Sequence, residues 1–199
     1  MMIRSGAMPI PDERLGLCEV ARDLFLADGY DEIGIDHFAK PSDGLAVAAR
    51  TGLLRRNFQG YTDDTAPTLP GLGASAISRF PQGYAQNASG TSDHAQAIRN
   101  GQFSTHRSHV FAGEDRLRAR IIAALMCDFR VERAALAGFG IEAAKVDAML
   151  TRAAVALHGM ATLDADTFAI LPEGRPLARM IARGFDADDQ GKAQHSAAL

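Results

Sequence analysis

The 199 residues are 47% hydrophobic and 23% charged, a balance that suits a globular chain with one substantial core or two small ones. A formal net charge of −3 gives no electrostatic footprint for nucleic acid or an anionic membrane. No apolar run approaches the roughly 18 residues that span a bilayer, and the first eight residues lack the apolar stretch of a signal peptide, so a cytoplasmic protein is expected.

Pro11-Asp12-Glu13 reads as a helix start with Asp12 as cap, and Leu17, Val20, Ala21 and Leu24 fall on one helical face that Gly29 closes. Ile33 and Ile35 then alternate with Gly34 and Asp36, which predicts a short strand. Helix followed by strand is half of an α/β barrel unit. Asp36 and His37 would lie at the C-terminal end of that strand, where barrels place their active sites; a loop hydrogen-bond network is the competing explanation of the pair. Pro41-Ser42-Asp43 opens a second helix with Leu45, Ala49 and Leu53 as inner stripe and Gly52 near its close.

The run Arg56-Asn57-Phe58-Gln59-Gly60-Tyr61-Thr62 is too polar for a core strand. Phe58 and Tyr61 offer flat faces, Gln59 offers directed donors and an acceptor, and Gly60 lets backbone approach closely. These residues describe either a ligand-contacting loop or an ordinary packed one. Gly71 and Gly73 lead into Ala74-Ser75-Ala76-Ile77-Ser78, a predicted strand of small residues; the glycine pair reads more simply as a turn than as a phosphate cradle.

After a polar, turn-like stretch around residues 81–87 the pattern becomes mainly helical. Thr91 or Ser92 would cap a short helix ending at Gly101. Leu117, Ile121 and Leu125 repeat every fourth residue, with Arg116, Arg118 and Arg120 expected on a solvated face. Val146, Met149, Leu150, Ala153 and Leu157 mark another amphipathic helix. Ala161 to Asp164 and Thr167 to Leu171 predict a two-stranded wing, and Gly174 to Phe185 a last helix. Between Gly113 and Phe185 ten Lys/Arg stand against nine Asp/Glu, which speaks against DNA binding despite the winged-helix order of elements. The chain has two cysteines, Cys18 and Cys127, both in apolar helical patterns and expected as buried thiols.

Three motifs in order carry a resemblance: Gly34-Ile35-Asp36-His37-Phe38-Ala39, then Asn57-Phe58-Gln59-Gly60-Tyr61-Thr62, then Gly73-Ala74-Ser75-Ala76-Ile77-Ser78. Together they resemble the oxygen-independent coproporphyrinogen III oxidases, radical-SAM enzymes of haem biosynthesis, from about Ile10 to Asp186. The Tyr84-Ala85-Gln86-Asn87 run and Leu125-Met126-Cys127 fit the same family. The resemblance covers only that family's C-terminal half, so a catalytic N-terminal half is expected outside this chain.

The fold this implies is α/β followed by mainly α: residues 1–80 as the last strands and helices of a radical-SAM, TIM-like barrel, 81–186 as a helical, winged-helix-like domain, and 187–199 as a disordered tail. It also implies oxidative decarboxylation of coproporphyrinogen III to protoporphyrinogen IX, a tetrapyrrole substrate, S-adenosylmethionine (SAM), a [4Fe–4S] cluster and a monomeric complete enzyme. Ile77, Gln59 and Phe58 fall on positions that border a second SAM molecule; Asp36, His37, Asn57 and Tyr61 are further pocket candidates. The family's three cluster cysteines have no counterpart here, so the chain alone is expected to be inactive. The competing expectation is a non-catalytic haem- or tetrapyrrole-binding module or a truncated relic, resting on six histidines and seven methionines without a ligand pattern.

Overall fold

The computed structural model describes residues 10–187; the first nine residues and all of the expected 187–199 tail except its first residue lie outside the described residues. Helix α1 (Pro11–Ala27) starts on a proline whose missing amide costs nothing at that position, and Glu13 holds the amide of Ile10 at 3.0 Å in place of the expected Asp12 cap. Its predicted stripe exists but is bare: Leu17, Val20 and Leu24 are 59%, 58% and 66% exposed. The helix is held near its C-terminal end, where Phe25 stacks on Phe38 with centroids 4.7 Å apart and Arg22 grips Glu32 at 3.0 Å. Cys18 shares the exposed surface, contrary to its expected burial.

Strands β1 (Asp31–Ile33) and β2 (His37–Ala39) form an antiparallel hairpin in which Ile33 pairs with His37. The single strand expected through Ile35 is therefore a turn at residues 34–36, and Asp36 sits in that turn rather than at a strand end. Gly34 makes the reversal with φ +60, a left-handed conformation that costs glycine least. In α2 (Gly44–Thr51) the Asp43 carboxylate accepts the Leu45 amide at 2.8 Å and Gly52 closes the helix left-handed. Ala46 and Ala48 are buried, whereas Leu53, expected inside, is half exposed.

Strands β3 (Arg55–Arg56) and β4 (Tyr61–Thr62) form a second hairpin. Ile33, Ala39, Ala46, Ala48, Leu54 and Tyr61 make a small core that takes Cys127 from a later helix. A third sheet, β5 (Ile77–Phe80), β6 (Gly83–Asn87) and β7 (Thr105–Val110), is antiparallel, and the expected division at 80/81 falls in its first turn. The strand expected from Ala74 begins only at Ile77. Helix α3 (Thr91–Arg99) bridges β6 and β7; Gly90 occupies its cap, and neither Thr91 nor Ser92 serves there.

The main core follows. Helix α4 (Asp115–Asp128) buries Leu117, Ile121 and Leu125 at the predicted spacing. β8 (Arg130–Glu132), α5 (Ala143–Ala156), β9 (Ala161–Leu163) and β10 (Thr167–Ile170) pack around it, with β10 central in the sheet. The expected strand pair is thus β9 and β10, joined by β8. The expected final helix is divided into a 3-10 stretch, Pro172–Leu177, and α6 (Ala178–Arg183), because Pro176 cannot donate a helical hydrogen bond. Phe168 and Phe185 meet edge to face at its centre, 5.7 Å apart.

Candidate functional site

The Asn57-Phe58-Gln59-Gly60 loop is the tip of the β3–β4 hairpin. The Asn57 amide donates to the Gly60 carbonyl at 2.9 Å, and the Asn57 side-chain oxygen accepts the Gln59 amide at 2.8 Å. Asn57 spends its acceptor on shaping the turn. The side chains of Phe58 and Gln59 are left exposed.

Tyr61 anchors the hairpin to the rest of the molecule. Its hydroxyl donates to the Met126 carbonyl at 2.7 Å and accepts the Ile35 amide at 3.1 Å. Burial raises its pKa, so the phenol stays neutral. Its ring lies against Gly34, where an added Cβ would come within 2.1 Å of the ring. The φ and the close approach both require glycine, so Gly34 and Tyr61 form one unit.

His37 meets the Tyr61 ring edge-on at 5.0 Å, and its Nδ1 lies 2.8 Å from Asp36 Oδ1. Arg179, from α6, reaches the other Asp36 oxygen at 3.3 Å. Asp36, His37 and Tyr61 are thus brought together beside Gly60. They form a partly exposed acid–imidazole pair braced from the C-terminal end of the chain.

Phe58 points elsewhere. It meets Tyr84 of β6 edge-on at 5.4 Å, and Tyr84 meets Phe111 at 5.1 Å. These rings border a cleft of about 700 Å³ between the β5–β6–β7 sheet and α4, which Asn57 also lines. Ile77 lies in the same sheet at the start of β5, paired with Gln86. Gly71 packs on the Ile77 backbone so closely that a Cβ there would stand 2.8 Å from its carbonyl carbon. The loop between them is clasped from β6: Asn87 donates to the Gly71 and Gly73 carbonyls at 3.2 and 2.9 Å, and Gln86 to Ser75 at 3.1 Å. The Tyr84-Ala85-Gln86-Asn87 run therefore supplies both an aromatic wall and a loop clasp, a role that sequence reading missed.

The electrostatics around α4 are mostly structural. Lys145 and Arg118 hold the Glu114 carboxylate below its ordinary range, and the Ala112 amide with His109 does the same for Asp115. Arg118, expected on a solvated face, instead joins Glu114 at 2.7 Å to the Phe185 carbonyl at 3.0 Å. Burial pushes the Cys127 thiol up to about 11, away from the thiolate that binds metals. Among the described residues no three His, Cys, Asp or Glu side chains gather closely enough to hold a metal ion.

No protein-family model matches the sequence. In structure the chain is similar to the coproporphyrinogen III oxidase of Escherichia coli, a radical SAM enzyme, with a TM-score of 0.84 and 32% identity, covering 93% of this chain and 43% of that one. The described fold is mixed α/β and matches a portion of that radical SAM enzyme. In sequence the chain is 58% identical over 200 residues to the oxygen-independent coproporphyrinogen III oxidase of Paracoccus denitrificans, covering 100% of this chain and 44% of the relative. With the same enzyme from Cereibacter sphaeroides the identity is 53% over 196 residues, 98% of this chain and 44% of the relative. Along its whole length the chain is similar to the C-terminal part of oxygen-independent coproporphyrinogen III oxidases. It spans about 44% of the length of these relatives.

Proposed function

We propose that this chain forms the C-terminal portion of an enzyme that oxidatively decarboxylates coproporphyrinogen III to protoporphyrinogen IX in haem biosynthesis. The supporting observation is 58% identity sustained over the whole chain. In this reading residues up to about 80 complete a radical-SAM barrel, and residues 81–186 form its winged-helix-like cover, with the β9–β10 hairpin as the wing. Among the described residues no helix is long and apolar enough to cross a membrane. On this reading the complete enzyme is a cytoplasmic monomer.

Phe58, Gln59 and Ile77 would border a second SAM. The exposed ring of Phe58 and the uncommitted Gln59 amide suit a purine, which asks for one stacking face and one directed donor–acceptor pair. Asn57 and Tyr61 serve that pocket indirectly, by holding the loop that presents those two side chains. Asp36 and His37, braced by Arg179, border it on the other flank. A [4Fe–4S] cluster does not fit the residues of this chain: it needs three thiolates, and the two cysteines are one exposed side chain and one buried, protonated one. No step of the reaction is therefore assigned to these residues. Cluster and radical chemistry fall to the part of the relatives that this chain does not cover.

Co-production with the remaining N-terminal part of the Paracoccus denitrificans relative tests the proposal. The purified mixture, assayed anaerobically with SAM and reductant, is expected to release protoporphyrinogen IX, while neither part alone does so. A co-purifying, cluster-loaded pair that turns over no coproporphyrinogen III would sink it.

A further inference from the structure

The cleft between α4 and the β5–β6–β7 sheet combines two kinds of wall. One is aromatic, made by Phe58, Tyr84 and Phe111. The other is cationic: Arg56, Arg79, Arg116 and Arg118 line it against Asp115 and Asp186. Arg118 is committed to Glu114 and the Phe185 carbonyl. Asp115 accepts the Ala112 amide at 2.9 Å and lies 3.0 Å from His109 Nε2, so its charge is largely taken up within the wall.

Arg79 is the informative side chain. One of its terminal nitrogens donates to the Ala66 carbonyl at 3.2 Å, but its Nε is buried with no partner among the described residues. A buried N–H with no acceptor is costly, and an anionic oxygen is the group that relieves it best. Arg116 brings a second guanidinium to the same cleft from an exposed position on α4. At about 700 Å³ the space exceeds what a simple anion needs and matches a ligand with a sizeable apolar body.

We propose that this cleft binds a cyclic polycarboxylate, with Arg79 and Arg116 holding its carboxylates and Tyr84 and Phe111 packing its ring body. This rests on the function proposed above, whose substrate is a tetrapyrrole bearing four carboxylates. The cleft adjoins the proposed second SAM position at Phe58, while Gln59 and Ile77 lie outside its lining; a sulfonium cation gains from aromatic faces but is repelled by the arginines deeper in the cleft. Two anchored carboxylates fix the orientation of the macrocycle as well as its affinity, because each guanidinium offers a planar pair of donors.

Coproporphyrin III, the stable fluorescent oxidation product of the porphyrinogen, is the probe. Titrated against the 199-residue chain, it should bind saturably, and Arg79→Gln and Arg116→Gln should each weaken binding by about tenfold or more. Affinity should also fall steadily with added salt. Arg116→Gln alters an exposed side chain, so its effect stands even if Arg79→Gln perturbs folding, and thermal melting of each variant checks that point. Binding within twofold of wild type in both variants, or no binding by wild type, overturns the assignment. Neither result bears on turnover by the co-produced pair, whose failure would remove the proposed function while leaving an arginine-dependent site in place.

Discussion

Removing one oxygen atom tests how the candidate loop is held. In Tyr61→Phe the ring remains against Gly34, but the Met126 carbonyl and the Ile35 amide both lose their partner. Met126 lies in the last turn of α4, where carbonyls have no helical amide four residues on. The Met126 carbonyl is buried and the Ile35 amide part-buried, so at about 1–2 kcal/mol for each orphaned group the pair is worth at most roughly 2–4 kcal/mol. For a chain of this size that lowers Tm by roughly 6–12 °C. Tyr84→Phe is the control, since its hydroxyl makes no hydrogen bond among the described residues; it should stay within about 0.5 kcal/mol of wild type. Burial raises both phenol pKa values, so neither ionises in a neutral buffer. Thermal melts followed by circular dichroism give the answer. A Tyr61→Phe melt within 2 °C of wild type, or a loss equal to that of Tyr84→Phe, refutes the anchoring role.

Three further outcomes follow from other parts of the molecule. Cys18 is exposed and Cys127 is buried with its thiol pushed up to about 11, so a disulfide-exchange reagent at pH 8 should titrate one thiol at once and the second only in denaturant; two fast thiols would contradict the small core. Glu114 is held as a carboxylate by Lys145 and Arg118, so its contribution to stability is complete above the ordinary value of 4.5 and is lost as pH falls through the lowered one. Glu114→Gln should therefore cost about 1 kcal/mol at pH 7, with the Tm gap to wild type closing in acid; a gap constant down to pH 3 would show that the pairing is not the cause. Limited proteolysis should leave residues 113–187, which contain nearly all of the main core, while a fragment of residues 1–80 degrades, because its small core borrows Cys127 and its Tyr61 bonds Met126. An equally resistant N-terminal fragment would contradict that dependence.

What the sequence made legible tracks the range of the interactions involved. α4 and α5 were readable because Leu117, Ile121 and Leu125, and Val146, Met149 and Leu150, bury one stripe each, and a stripe is a local pattern. The same pattern in α1 gave the helix but not its environment, since periodicity marks an apolar face without saying what covers it. The strand expected through Ile35 failed at Gly34, whose φ answers to a tyrosine 27 positions away. Of the β5–β6–β7 sheet only the first strand was expected, because β7 is exposed throughout and carries no buried alternation to read. At the candidate site, the motif located the loop that presents Phe58 and Gln59. Tyr61 was readable as an aromatic, but its role as an anchor depends on Met126, far along the chain. The clasp by Gln86 and Asn87 had no local signature either, because hydrogen bonds to loop carbonyls leave none in a sequence.

The bare face of α1 has a thermodynamic consequence. Leu17, Val20 and Leu24 carry no charge, so whatever surface covers them gains chiefly by releasing ordered water. Such an association strengthens on warming from the cold, shows a negative heat-capacity change and is nearly indifferent to salt. Contacts made through the arginine-lined cleft must weaken as salt is added. Temperature and ionic strength are thus separate handles on two faces of one small molecule.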